Sequence, residues 1–167
     1  VVSAGVSSTA RSLYRSPDAG ATWKPLPNQP TGLMPSHAAF DSEGALYVSY
    51  GNVPGPSDVV TGAVHRFDPR SQRFTDITPV KPSSDDTFGY GGLAVEAQRP
   101  GTLLVTTIDR WTRGDEIFRT TDAGKRWTAL GPKAERDAAG ARYLYWGRDE
   151  PSATGWVGGI HIDPFDS

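Results

Sequence analysis

At 167 residues, 37% of them hydrophobic, the chain is long enough for one domain with a sizeable core. A formal net charge of −2 without a basic block argues against a phosphate-neutralising, nucleic-acid-binding face, and no run of 18 apolar residues is present to cross a membrane as a helix. With no cysteine, disulfides and thiolate metal sites are excluded.

The opening VVSAGVSS has neither Met nor a charged-then-apolar leader, as expected of a mature protein or an excised piece. SLYRSPDAGATWKPLP (12–27) then reads as strand, turn, strand. AAFDSEGALYVSYG (38–51) is a second hairpin, with the strand ALYVSY at 45–50. AVHRFDPRSQRFTDIT (63–78) is a third, its first strand AVHRF at 63–67. A fourth follows from GLAVEA (92–97) and TLLVTTI (102–108). EIFRTTDAGKRWTALG (116–131) is the fifth, opening on the strand EIFRT (116–120). KAERDAAGARYLYW (133–146) has helix-friendly composition but no apolar stripe at helical spacing, and reads as a loop with one helical turn. GIHI (159–162) is a last strand. The fold class is all-β, since β-branched and aromatic runs alternate with Gly, Pro, Asp and Ser clusters.

Two turns share one pattern. Ser16, Asp18, Gly20 and Trp23 recur as Thr120, Asp122, Gly124 and Trp127. Between them Asp68 opens a related turn, 50 residues after Asp18 and 54 before Asp122, with Phe74 in the place of the closing Trp. The remaining hairpins form a second series, out of phase with the first. Each unit is therefore two hairpins, four antiparallel strands, in roughly 50 residues, which is one β-propeller blade. Residues 1–27 read as the end of a blade, 36–78 and 91–131 as two blades, and 159–167 as the start of another. Propellers close with about four to eight blades, so this is an incomplete propeller whose ring requires further blades. The Asp carboxylate accepts backbone N–H groups across the turn and Gly takes a positive φ. Repetition marks Asp18 and Asp122 as scaffold, because a catalytic group is used once and a turn recurs.

The Ser/Thr-x-Asp-x-Gly-x-x-Trp turn resembles the Asp-box of sialidases, sortilin-type receptors and several glycosidases. The ordered set FGYGGLAVEAQRPGTLLVTTIDRWTRGDEIFRTTDAGKRW (88–127), YLYWG (143–147) and GWVGGIHIDPFDS (155–167) resembles the xyloglucan-active enzymes of glycoside hydrolase family 74. It departs from that family at Trp111-Thr112, where a Trp pair is common. The resemblance implies a fragment of the N-terminal propeller of a secreted, two-propeller enzyme. Such an enzyme cuts the β-1,4-glucan backbone of xyloglucan, a plant cell-wall polysaccharide, with inversion. Its catalytic aspartates, one per propeller, lie in Asp-Ile-Gly-Gly-like motifs absent here, so no catalytic residue is assigned and no cofactor is implied. Asp85-Asp86, Asp109 and Asp115-Glu116 are the nearest acidic candidates. Adjacent carboxylates such as Asp85 and Asp86 seldom flank one sugar at the roughly 6.5–9.5 Å that inversion needs, and read as a solvated loop. His37, His65 and His161 lack metal-ligand spacing.

Sugar faces pack on aromatic rings. Trp111, Trp146 and Trp156 fall in polar or Gly-rich loops and are the expected cleft residues, with Tyr90, Asp109 and Arg110 beside them. Arg110 could equally pair with Asp115 at the surface. Two other classes compete: a non-catalytic, sortilin-like binding propeller and a sialidase. The first usually carries disulfides, and the second needs an arginine cluster; neither is present.

Overall fold

The computed structural model describes residues 11–130 and 159–162. Among these residues there are ten strands and no helix. A short ladder pairs β1 (Tyr14–Arg15) with β2 (Lys24–Pro25). One antiparallel sheet follows in the order β3 (Met34–Phe40), β4 (Leu46–Gly51), β5 (Gly62–Asp68), β6 (Arg73–Asp76). A second repeats it with β7 (Gly89–Val95), β8 (Leu103–Ile108), β9 (Ile117–Thr120), β10 (Thr128–Ala129). Every strand pairs with its sequence neighbour, so each sheet is a four-stranded meander, the form of a propeller blade. The first strand of each sheet carries a register shift, at Pro35/His37 and at Tyr90/Leu93.

The alternation of side chains explains the stacking. All six residues of β4 are buried, so both of its faces are covered. Tyr47 joins Val64, Ile77, Phe88, Tyr90, Leu93, Leu103, Val105 and Phe118 between the two sheets. Leu46, Val48 and Tyr50, on the opposite face, join Leu13 and Phe67 against the β1–β2 side. Ser49 spends its hydroxyl on the Gly91 carbonyl of the next sheet, at 2.9 Å. Gln29 fastens the short ladder: its Oε1 accepts the N–H of Ser12 and of Leu13, both at 2.8 Å. Its Nε2 donates to the carbonyls of Leu13 and Leu26.

The repeated turns lie between β1 and β2 and between β9 and β10, and share one hydrogen-bond scheme. The Thr120 hydroxyl donates to Asp122 Oδ1 at 2.9 Å and accepts the Gly124 N–H at 3.1 Å. Asp122 Oδ1 accepts the Arg126 N–H at 2.9 Å. In the first copy Ser16, Asp18, Gly20 and Thr22 make the equivalent bonds, at 2.9, 2.6 and 2.8 Å. Ala19 and Ala123 both take a positive φ before their glycines. The carboxylates stay ionised: Asp122 is held at about 2 by the Arg126 side chain and backbone N–H, and Asp18 is lowered by the Thr22 hydroxyl and N–H.

The two copies differ in what the Trp meets. Trp127 donates its indole N–H to the Ile77 carbonyl of the neighbouring sheet at 2.8 Å. Trp23 donates to Gly20 in its own turn and is 43% exposed, so it does not pack against a blade among the described residues. Two further departures from the sequence reading appear. β7 begins at Gly89 rather than at 92, because its glycines let inner strands approach: a Cβ on Gly62 would lie 2.6 Å from the Gly89 Cα. Residues 159–162 form no strand, as no ladder partner pairs with them among the described residues, although Ile160 sits against Gly92. The segment 133–146 lies outside the described residues.

Gly124 answers two demands at once. Its φ is +85°, and a Cβ there would stand 2.6 Å from the Ile77 Cβ; at Gly20 (φ +99°) the nearest atom is 3.7 Å away. Gly20→Ala is therefore expected to cost about 1 kcal/mol from backbone strain alone. Gly124→Ala should cost about 3 kcal/mol, since overpacking adds to the same strain. Urea unfolding of the two variants measures the difference, and equal costs would remove the close sheet contact from the account.

Candidate functional site

In an antiparallel meander the connections alternate between the two ends of the sheet. The turns 16–23 and 120–127 lie at one end with the β3–β4 and β7–β8 turns, as the Ala123 N–H bond to the Gly101 carbonyl illustrates. The β4–β5 loop (52–61), the β6–β7 connection (77–88) and the β8–β9 loop (109–116) gather at the other end. These three segments carry the candidate site.

Their joints are ionic. Arg110 holds Asp86 with Nη2 at 2.6 Å and Nε at 3.1 and 3.2 Å from the two carboxylate oxygens. The guanidinium also lies over the Phe88 ring, 4.4 Å from its centroid. Both side chains are largely buried, at 7% and 15% exposure, and Arg113 approaches the same carboxylate from solvent at 3.6 Å. A planar fork on a carboxylate ties the β6–β7 connection to the β8–β9 loop with fixed geometry. The guanidinium of Arg110 thus pairs with Asp86 and not with Asp115, which meets the Arg110 backbone N–H instead, and Asp86 is not a solvated loop residue; its neighbour Asp85 is exposed.

Asp115 braces the same loop from within. Its Oδ1 accepts the Thr107 hydroxyl at 2.9 Å and the Arg110 N–H at 3.2 Å. Its Oδ2 is buried without a hydrogen-bond partner among the described residues. Burial pushes its carboxyl up to about 6, with the nearby Asp109 charge adding to the rise, while the Thr107 hydroxyl and Arg110 N–H oppose it.

The expected sugar contacts separate sharply. Tyr90 is fully buried; its hydroxyl donates to the Val80 carbonyl at 2.7 Å and accepts the Val80 N–H at 3.1 Å. It is a core residue holding the β6–β7 connection, with no face for a ligand. Burial raises its hydroxyl's pKa far above the ordinary value. Arg110 is consumed by Asp86 and Phe88. Asp109 is buried, with one oxygen on the Val59 N–H at 2.8 Å and the other on the Trp111 indole N–H. Trp111 is 59% exposed at the rim of the loop cluster. Trp146 and Trp156 lie outside the described residues. What sequence reasoning missed is the pairing of Asp86 with Arg110, whose signal was an acidic residue one loop away from an arginine.

This arrangement offers an aromatic plate on a rigid polar base. No family model matches the chain. It is 40% identical over 98% of its length to a xyloglucanase of a Paenibacillus species. The identity is again 40%, over 98% of the chain, with a xyloglucanase of Acetivibrio thermocellus. The crystal structure of the xyloglucanase of glycoside hydrolase family 74 from Xanthomonas campestris superposes with a TM-score of 0.81 and 43% identity, over 93% of this chain and 22% of that one. The chain belongs to glycoside hydrolase family 74. It spans about a fifth of the length of these relatives, 17% and 21% of the two curated ones.

Asp115 generates a pH dependence. Its folded pKa lies above the ordinary 3.8, so between about pH 4 and pH 6 the folded state keeps a proton that the unfolded state releases. Its contribution to stability is present at low pH and is lost as pH rises through about 6. Asp115→Asn keeps the acceptor for Thr107 and Arg110 without the buried charge. It should stabilise the protein by about 1 kcal/mol at pH 7.5, after discounting for partial exposure, and leave stability unchanged at pH 4. Thermal unfolding at the two pH values tests this, and a variant destabilised at both would contradict it.

Proposed function

We propose that this chain is a section of a secreted xyloglucan-cleaving glycoside hydrolase, contributing blades and part of the polysaccharide cleft of the N-terminal propeller. In this reading the sheets Met34–Asp76 and Gly89–Ala129 are whole blades, 1–27 is half of the preceding one and 159–167 opens the next. The exposed indole of Trp111, at the loop-bearing end of a chain so similar to xyloglucanases, carries the proposal. A glucosyl ring presents an apolar face of axial C–H groups, and a fixed aromatic plate buries it while the hydroxyls find polar partners. Trp146 and Trp156 are assigned to the same cleft. The inverting aspartate pair lies elsewhere in the two-propeller protein: Asp109 and Asp115 have their oxygens taken up in loop hydrogen bonds or buried, and Asp86 is neutralised by Arg110. A sortilin-like binding propeller would hold a ligand without turnover, and a sialidase would act on an acidic sugar.

Two measurements test the reading. Residues 1–167 alone should release no reducing sugar from xyloglucan, whereas the full-length protein should; binding without release by the full-length protein would favour a binding module. Trp111→Ala in the full-length protein should weaken xyloglucan binding roughly thirtyfold, as truncating an interface Trp costs about 2 kcal/mol and about 1.4 kcal/mol is tenfold. Its melting temperature should barely move. A large loss of stability with affinity unchanged would assign Trp111 to the scaffold.

A further inference from the structure

An exposed indole is held by little packing of its own, and Trp111 has two side-chain torsions to fix. One polar contact fixes them. The indole N–H donates to Asp109 Oδ1. The other oxygen of that carboxylate, Oδ2, accepts the Val59 N–H of the β4–β5 loop, in the neighbouring blade, at 2.8 Å. Val59 is itself buried, so the anchor does not move with solvent. Asp109 also sits at φ +63°, in the left-handed region, which turns its carboxylate back toward the neighbouring loop. A residue with a Cβ adopts this conformation at a cost, and Asp and Asn are the side chains that tolerate it best.

We infer that Asp109 is the positioning residue of the Trp111 platform: its carboxylate bridges the loops of two adjacent blades and sets the plane of the indole. The inference rests on the reading of Trp111 as a sugar platform. It also gives Asp109 a role distinct from direct substrate contact, since both of its oxygens already accept N–H groups. A ring whose orientation is fixed before binding gives up less freedom when a sugar stacks on it. The bridge further makes the platform depend on two blades being docked, because Val59 and Trp111 lie in loops of different sheets.

The test is a double-mutant cycle in the full-length protein, with a xyloglucan oligosaccharide as the probe in calorimetry and xyloglucan as the substrate in kinetics. Asp109→Ala should weaken oligosaccharide binding about tenfold and raise KM by a similar factor, with kcat little changed. Asp109→Asn should fall between wild type and Asp109→Ala: it tolerates the left-handed backbone, but leaves one acceptor oxygen for two N–H donors. In a Trp111→Ala background Asp109→Ala should have no further effect on affinity, since its influence passes through the ring. An equal loss in both backgrounds would show that Asp109 acts on the loops at large and overturn the inference. So would unchanged affinity in Asp109→Asn and Asp109→Ala while Trp111→Ala still weakens binding. If Trp111→Ala itself leaves affinity unchanged, the platform reading fails, and the positioning role fails with it.

Discussion

A strand buried on both faces governs this structure. β4 has no side that can face water, so its sheet must be covered twice. The second sheet covers one face, and the β1–β2 ladder with Leu13 covers the other. From that requirement the rest follows. Tyr47 and its neighbours on alternate sides divide one strand between two cores. Ser49 must find a carbonyl in the next sheet because no water reaches it. Gly62 and Gly89 let the sheets close at the ends that lead into the loops, where side chains would hold them apart. The loops 52–61 and 109–116 are thereby brought near enough for Asp109 to reach Val59.

The division of labour between the two ends of the sheets is chemical. At one end the turns are largely satisfied from within: hydroxyl, carboxylate and backbone N–H groups inside eight residues bond one another, and in the second copy Ala123 and Trp127 reach out to the Gly101 and Ile77 carbonyls. At the other end no segment is complete alone. Asp86 needs Arg110, Trp111 needs Asp109, and Asp109 needs Val59. Cross-segment dependence of this kind gives a site its fixed geometry, and it places charge where solvent is partly excluded. The raised carboxyl of Asp115 is one outcome of that exclusion.

This contrast also explains what could be read from the sequence. The hairpins and the repeated turns were legible because their bonds are local and their spacing regular. The four-stranded blade followed from counting hairpins. The start of β7 was not legible: GYGG looks like a loop by composition, and only the close approach of Gly62 reveals why a strand is built from it. Tyr90 reads from the sequence as a candidate sugar contact, yet its hydroxyl is satisfied by the backbone of Val80, ten residues away. The Arg110–Asp86 pair spans 24 residues and two strands, and no local pattern selects Asp86 over Asp115. The exposure of Trp111 was legible for the opposite reason, since a large indole amid DRWTRGD has few apolar neighbours to bury it.

Trp23 and Trp127 occupy the same place in two copies of one turn, yet they stand in different media. Trp127 closes onto the carbonyl of a neighbouring sheet, and Trp23 folds back onto its own turn with nearly half its surface in water. Indole emission shifts to shorter wavelength as water leaves its surroundings. The first turn therefore carries an optical gauge: the Trp23 contribution to the emission would turn bluer with any apolar cover laid over that turn, and would report it without an added dye.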